Sequence, residues 1–302
     1  MQANALFPGF RRGVVQVADP LAGTVDIPYL AHGQGPPLLL LHGFPQTSAM
    51  WHKVAGRLAR RYTVVAVDLR GYGDAGKPAG RAGPALYAKR AMAADPLAVM
   101  RALGHERFMV AGHDRGGRVA HRLALDHPQA VSRLMVLDIA PTLAMYERSD
   151  MRFATVYWHW FFLIQPAPLP ETLIGADPEF MLARFMGGRH AGMRAFDPAA
   201  WREYVRCARS PEAVHAMCED YRAAATLDLE LDRADREAGR RLEMPLCVLW
   251  GEHGGLARCF DPLALWREYA AQVQGKALPC GHYLAEEMPD AVVEECFAFF
   301  SE

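Results

Sequence analysis

The segment Gly112-His113-Asp114-Arg115-Gly116-Gly117 sets an aspartate between an apolar run, Arg107-Phe108-Met109-Val110-Ala111, and a stretch of helical character that ends at Asp126. Strand, tight turn and helix in that order expose one side chain at the top of a sheet as a nucleophile. Small flanking residues suit such a turn, because a bulky Cβ would clash there. Most turns of this kind carry serine, and aspartate changes the chemistry. A serine that displaces a leaving group from a saturated carbon forms an ether, which water does not readily cleave. A carboxylate forms an ester, which water can hydrolyse. Asp114 therefore points to attack on an sp³ carbon, and the plainer alternative is an aspartate capping a helix N-terminus.

An ester on Asp114 needs a base to activate water. His282, in Pro279-Cys280-Gly281-His282-Tyr283, follows the last strand candidate and precedes the C-terminal helix, as such a base should. The base in turn needs a carboxylate to orient it. The strand that resumes late in the chain ends Trp250-Gly251-Glu252-His253-Gly254-Gly255-Leu256, with no aspartate where one is expected and Glu252 very close to the strand end. The segment Leu137-Asp138-Ile139-Ala140-Pro141 offers Asp138, which is assigned as the orienting acid. Two backbone N–H groups should stabilise the oxyanion. One belongs to Arg115, after the nucleophile, and the other to Phe44 in Leu41-His42-Gly43-Phe44-Pro45, where Pro45 has no N–H.

Arg115 and Arg118 lie three apart at the start of the helix and can share a face. Paired guanidiniums can hold a substrate carboxylate through bidentate bonds. They would offset the repulsion between Asp114 and an anionic substrate, about 4 kcal/mol at ~4 Å and an effective dielectric near 20. Farther along, Tyr157-Trp158-His159-Trp160 and Glu219-Asp220-Tyr221-Arg222 bring imidazole, indole and phenol donors. His159, Trp160 and Tyr221 could together stabilise a departing halide, although an aromatic stripe on a helix is often only packing.

The elements that must position these groups alternate. Short apolar runs at 13–18, 25–31, 37–41, 63–67, 108–111, 134–137 and 246–250 read as strands, with 276–278 as a weaker eighth. Helix candidates are 48–61, 86–103, 116–126, 263–271 and 291–300, and Asp95-Pro96 should kink or split the second. The alternation predicts an α/β fold with a mostly parallel eight-stranded sheet flanked by helices. From about Pro141 to Arg240 no strand is legible, and aromatics, helical segments and prolines take over. This predicts a core of residues 1–140 and 241–302 and a helical cap at 141–240 inserted between two strands. A site between core and cap would be shielded from water.

The bulk numbers fit. A chain of 302 residues with 51% hydrophobic and 22% charged residues is ordinary for a globular protein, and a net charge of −1 gives no reason to expect nucleic acid or an anionic membrane as partner. Neither a basic segment followed by a long apolar one at the N-terminus nor an apolar run of bilayer length is present, so a cytoplasmic location is expected. Cys207, Cys218, Cys247, Cys259, Cys280 and Cys296 form no C-x-x-C pair and read as reduced thiols. The place of Cys280 at a strand end argues against a nucleophilic role.

With these residues in hand, the chain resembles, nearly end to end, the fluoroacetate and haloacetate dehalogenases of the α/β-hydrolase superfamily. The resemblance is carried by His42-Gly43-Phe44-Pro45-Gln46-Thr47, Gly71-Tyr72-Gly73-Asp74, Lys89-Arg90-Ala91-Met92, Gly112 to Arg118, Leu137-Asp138-Ile139, His159-Trp160, the segment Gln165 to Glu171, Cys218-Glu219-Asp220-Tyr221-Arg222-Ala223 and Gly281-His282. It implies Asp114 as nucleophile, His282 as base, Asp138 as its partner, Arg115 and Arg118 on the substrate carboxylate and His159, Trp160 and Tyr221 on the halide. It also implies a homodimer without cofactor or metal, acting on a small-molecule haloacid. Two departures stand out: Gly187-Gly188, where family members often carry a further pocket tryptophan, and Trp158, where a tyrosine is common. The first predicts a wider pocket and larger haloacids. An epoxide hydrolase with the same Asp/His pair is the main alternative, with Tyr221 and Tyr157 as its acids, and a ligand-binding protein without turnover is a second.

Overall fold

A computed structural model describes residues 6–301. Residues 1–5, part of the N-terminal stretch read as free of a leader signal, lie outside the described residues. The strands are β1 (Arg11–Asp19), β2 (Gly23–His32), β3 (Pro37–Leu41), β4 (Thr63–Val67), β5 (Phe108–His113), β6 (Val131–Leu137), β7 (Leu246–Gly251) and β8 (Val273–Leu278). They form one eight-stranded sheet in the order β1-β2-β4-β3-β5-β6-β7-β8. β1, β2 and β4 pair antiparallel and every later pairing is parallel. The parallel strands are covered on both faces, which explains their unbroken apolar sequences: Leu38 to Leu41 and Leu134 to Leu137 are fully buried. β8 lies at the edge and alternates between exposed and half-buried residues, so its apolar signal is weak and only its last three residues stand out in sequence.

Two helix expectations need correction. The stretch 48–61 is not one helix but a 3₁₀ turn, Ser48–Trp51, capped by Thr47, then a bend and a short helix, Ala55–Leu58. The Lys53 ammonium there donates to the carbonyls of Ala195 and Glu286, which ties the bend to distant parts of the chain. In the second case the helix starts later than expected and runs Lys89–Ala102 unsplit through Pro96. Beside the proline, the Asp95 carboxylate accepts from Nε and Nη2 of the buried Arg70, 2.9 and 2.7 Å away.

Between β6 and β7 the described chain forms only helices: Thr142–Glu147, Met151–Val156, Trp158–Leu163, Leu169–Ala176, Pro178–Gly187, Pro198–Ala208, Pro211–Ala224 and Leu227–Glu237, with one 3₁₀ turn. The prolines that marked this region in sequence start helices. Pro178, Pro198 and Pro211 each follow a capping residue, Asp177, Asp197 and Ser210, whose side chain accepts a hydrogen bond from a first-turn N–H. Buried ion pairs join this helical insertion to the sheet-flanking helices. Arg122 bridges to Asp232 and Asp235 at 2.7 and 2.6 Å, and Lys89 meets Asp220 and Asp228.

Candidate active site

Asp114 sits at the turn between β5 and the helix Arg115–Asp126 with φ 46° and ψ −117°, a left-handed conformation unusual for a residue with a side chain. Strain of this kind costs on the order of 1–3 kcal/mol and persists where surrounding structure enforces it. Its neighbours are enforced by close approach. A Cβ on Gly116 would stand 2.2 Å from the carbonyl oxygen of His42, and one on Gly43 would stand 2.5 Å from the Asp114 Cβ. Asp138, directly after β6, is the other non-glycine residue with positive φ among those described, at 50°.

The turns after β5, β6 and β8 lie at the carboxyl ends of strands in the parallel part of the sheet, where such sheets bind ligands. They bring the three residues singled out in sequence together. His282 Nδ1 is 2.5 Å from Asp138 Oδ2, and its Nε2 is 3.8 Å from Asp114 Oδ2. The other Asp138 oxygen accepts from the Gly251 N–H at 2.9 Å. Glu252, the other acid weighed for this place, is exposed. Phe44 donates its backbone N–H to Asp114 Oδ1 at 3.1 Å. Its loop is held by His42, whose Nε2 accepts from the Leu69 N–H at 2.9 Å while Nδ1 donates to the Gly43 carbonyl at 3.0 Å.

Arg115 and Arg118 are both buried beside this cluster. The anion that Arg115 meets inside the protein is Asp220: Nε and Nη2 reach its carboxylate at 3.0 and 2.5 Å, and Nη2 also reaches its carbonyl at 2.8 Å. Asp220 also accepts from the Tyr72 hydroxyl at 2.7 Å and pairs with Lys89. Arg118 Nη1 donates to the Ala140 carbonyl and the Thr142 hydroxyl, at 3.1 and 2.8 Å, where β6 gives way to the helical insertion. The Arg115 guanidinium lies 4.2 Å from the Tyr221 ring centre, and that of Arg118 lies 4.7 Å from the Trp160 ring centre. Phe44 packs between His159 and Tyr221, with ring centres 6.1 and 5.1 Å away.

Four donor atoms in this cluster are buried without a hydrogen-bond partner among the described residues, Arg115 Nη1, Arg118 Nε, Trp160 Nε1 and Tyr221 Oη, and so is the acceptor nitrogen His282 Nε2. Buried donors are normally paired, so such a concentration calls for an explanation. Beside them is a carboxylate held in its charged form. Burial would push the Asp114 carboxyl up, but His282, His113, Arg118 and Arg115 outweigh it and hold it below the ordinary carboxylate value. Burial also drives His282 down to about 3 and His113 to about 3, so both are neutral near pH 7 and the arginines supply the lasting positive charge. Asp138 moves the other way: burial raises it to about 7 against the Gly251 N–H. Cys280 is buried, and its thiol is pushed up to about 12, which suits a packing role. All six cysteines are free.

Sequence reading missed the support beneath Arg115. Lys89, Tyr72 and Asp220 occur in segments recognised for their type, yet nothing local reveals that they converge. It also missed Arg189, half-buried near the mouth of the site. Of the two glycines where a wider pocket was expected, Gly188 lines a cavity, whereas Gly187 packs against Met193. Trp158 is partly exposed and stacks on Phe185 at 5.5 Å.

Sheet order, strained turn and helical insertion define the α/β-hydrolase class, and a family described as alpha/beta hydrolase fold matches residues 36–289. A fluoroacetate dehalogenase of Burkholderia sp is 46% identical over 298 residues, covering 98% of this chain and 96% of that protein. A soluble epoxide hydrolase of Corynebacterium sp. (strain C12) is 34% identical over 277 residues, 90% of this chain and 93% of its own. A crystal structure from Nostoc sp PCC 7120, assigned to the alpha/beta hydrolases, is 50% identical with a TM-score of 0.93 and full coverage of both chains. The chain belongs to the fluoroacetate and haloacetate dehalogenase family of the α/β-hydrolase superfamily. No helix among the described residues is long and apolar enough to cross a membrane.

Proposed function

We propose that the protein hydrolyses 2-haloacids, such as haloacetates, to 2-hydroxyacids and halide. The observation that carries this reading is the set of unpartnered buried donors around an ionised Asp114. A haloacid supplies both acceptors they lack. Its carboxylate takes Arg115 Nη1 and Arg118 Nε, and its halogen takes the Trp160 and Tyr221 donors with His159. The two Asp114 oxygens divide the work. Oδ1 is held by the Phe44 N–H, so Oδ2, facing His282, attacks the α-carbon in line. The carbon–halogen bond breaks with its electron pair leaving on the halide. Water then gives a proton to neutral His282 and attacks the ester carbonyl carbon. The charge that develops on Oδ1 is stabilised by the Phe44 N–H and the Arg115 backbone N–H. Collapse releases the 2-hydroxyacid and restores the carboxylate, while Asp138 holds the imidazole and supports its transient charge.

The same reading makes residues 141–240 a cap that keeps water out of the first step. It also makes the protein a homodimer, for which half-exposed Leu169, Leu173 and Phe180 on the cap give an apolar surface, and a cytoplasmic one, in keeping with six free cysteines. Epoxide hydrolysis is the second reading, favoured by the Corynebacterium relative and by the free Tyr221 hydroxyl. It leaves the two arginines beside the nucleophile without a task. Fluoride and chloride release from fluoroacetate and chloroacetate, with Asp114→Asn as control, tests the proposal. Release of both ions, lost in the variant, is the expected result. Consumption of a neutral epoxide without halide release from either acid would replace it. Solvent ¹⁸O should enter Asp114 over several turnovers, and its absence would rule out the ester route.

A further inference from the structure

Outside the inner cluster a cavity of about 520 Å³ opens between the helical insertion and the loops that carry His282. His159 and His282 form part of its lining, so it borders the reacting centre. Pockets of roughly 300–1,000 Å³ hold ligands far larger than a two-carbon acid. Its other charged lining is of one sign: Arg184, Arg189 and Arg258 contribute, and no aspartate or glutamate does. Arg184 and Arg258 are exposed and solvated, but Arg189 is only half-exposed. Its Nε donates to the Phe185 carbonyl at 3.3 Å, and its guanidinium faces the Tyr283 ring at 5.7 Å. Among the described residues no carboxylate lies within ion-pair distance of it. A guanidinium partly withdrawn from water, with a carbonyl and the Tyr283 side chain as its near partners and Asp114 and Asp138 acting on it only from beyond ion-pair distance, has capacity left for an anion. Arg115 and Arg118 do not line this cavity, and Asp220 and the Ala140 and Thr142 oxygens take only part of their hydrogen-bonding capacity, so Arg189 is a separate cationic position.

We propose that Arg189 binds a second anionic group on the substrate, so that the preferred substrates are 2-halodicarboxylic acids rather than haloacetates. This rests on the dehalogenase reading above. With the α-carbon at Asp114, the first carboxylate on Arg115 and Arg118 and the halogen toward Trp160 and Tyr221, the remaining substituent of the α-carbon has the cavity to enter. A haloacetate has only hydrogen there. A chain ending in a carboxylate meets Arg189 through a charge-assisted bond. The chemistry balances as before: a 2-halodiacid and water give a 2-hydroxydiacid, halide and one proton.

The test compares chloride release from 2-chlorosuccinate, from its C4 half-amide and from chloroacetate. The half-amide keeps shape and removes only the second charge. The wild-type kcat/KM for the diacid should exceed that for the half-amide tenfold or more. That ratio should fall to about one in Arg189→Gln and be largely kept in Arg189→Lys, which retains the charge if the site needs it for folding. The ratio cancels any effect of Arg189 on the common chemistry. Chloroacetate turnover with a diacid to half-amide ratio near one, or a ratio unchanged by Arg189→Gln, overturns this inference and leaves the dehalogenase reading standing. No chloride from any of the three overturns both.

Discussion

Replacing Asp220 with asparagine should be the most damaging near-isosteric change in the molecule outside the reacting groups. Asp220 is fully buried and accepts from Arg115 Nε and Nη2 and from the Tyr72 hydroxyl, besides pairing with Lys89. Asparagine keeps the size and some of the hydrogen bonds but leaves two buried cations with one fewer anion. Each lost attraction is worth about 4 kcal/mol at ~4 Å with an effective dielectric near 20. Lys89 keeps Asp228, 3.7 Å away, and can give up its proton, since burial and Arg115 already lower it. Arg115 has no such escape. The net loss should therefore resemble that of breaking one buried pair, roughly 3–5 kcal/mol. For a chain of this size that is a melting temperature lowered by on the order of 10 °C. The sign with pH is defined too. In the variant Lys89 prefers to be neutral when folded and charged when unfolded, so the unfolded state binds more protons and stability should recover as pH rises toward the lysine range. Differential scanning calorimetry across pH, alongside KM for chloroacetate, measures both effects, and KM should rise because Arg115 is no longer held. A variant within 1 kcal/mol of wild type, with unchanged KM, would refute the argument that Asp220 fixes Arg115.

Three further outcomes follow from the same geometry. Gly116→Ala would put a Cβ within 2.5 Å of two backbone oxygens and should cost roughly 3 kcal/mol or more, whereas Gly56→Ala meets nothing within 4 Å; urea unfolding of the pair checks this contrast. His282→Asn should release about one equivalent of halide and leave an ester on Asp114 detectable by mass spectrometry, since a general base is worth ~10²–10⁴ in rate; unimpaired turnover would exclude His282 as that base. Because burial raises Asp138 to about 7, kcat should fall as pH drops through that value and the carboxylate that orients His282 is neutralised; a rate flat down to pH ~5 would contradict the assignment.

What could be read from the sequence was whatever local pattern encodes. Apolar runs flanked by turn residues mark central strands because parallel strands are buried on both faces, and β3 to β7 were legible for that reason. The turn around Asp114 was legible because glycines there answer to backbone contacts a few ångströms away. β8 was faint because an edge strand keeps one side in water. Pro96 misled because local rules break a helix at proline, while the Arg70–Asp95 pair beside it joins residues 25 apart. The same limit hid the Asp220 network. Arg115 and Asp220 lie 105 positions apart, Lys89 and Asp220 lie 131 apart, and no spacing rule connects them. Arg189 had no motif at all, because its interest lies in the carboxylates it does not meet.

The electrostatics of the site carry a consequence for how the proposed reaction must gain its rate. A carboxylate held below its ordinary range is ionised at all working pH values, yet it is also a poorer nucleophile, and the arginines that admit an anionic substrate stabilise the attacking charge before it moves. Acceleration has to come from the other end of the displacement. As Asp114 Oδ2 bonds to carbon, negative charge migrates from the Arg115 and Arg118 side toward the halogen, and interactions that strengthen along that path lower the barrier. Trp160 Nε1 and Tyr221 Oη are buried, without a partner among the described residues, and carried by the same rings that face the two arginines. On the proposed reading the guanidiniums thus set the position of the halide donors as well as that of the substrate carboxylate. A substitution that loosened Arg115 would then penalise kcat as well as KM, which separates this arrangement from one in which the arginines only collect substrate.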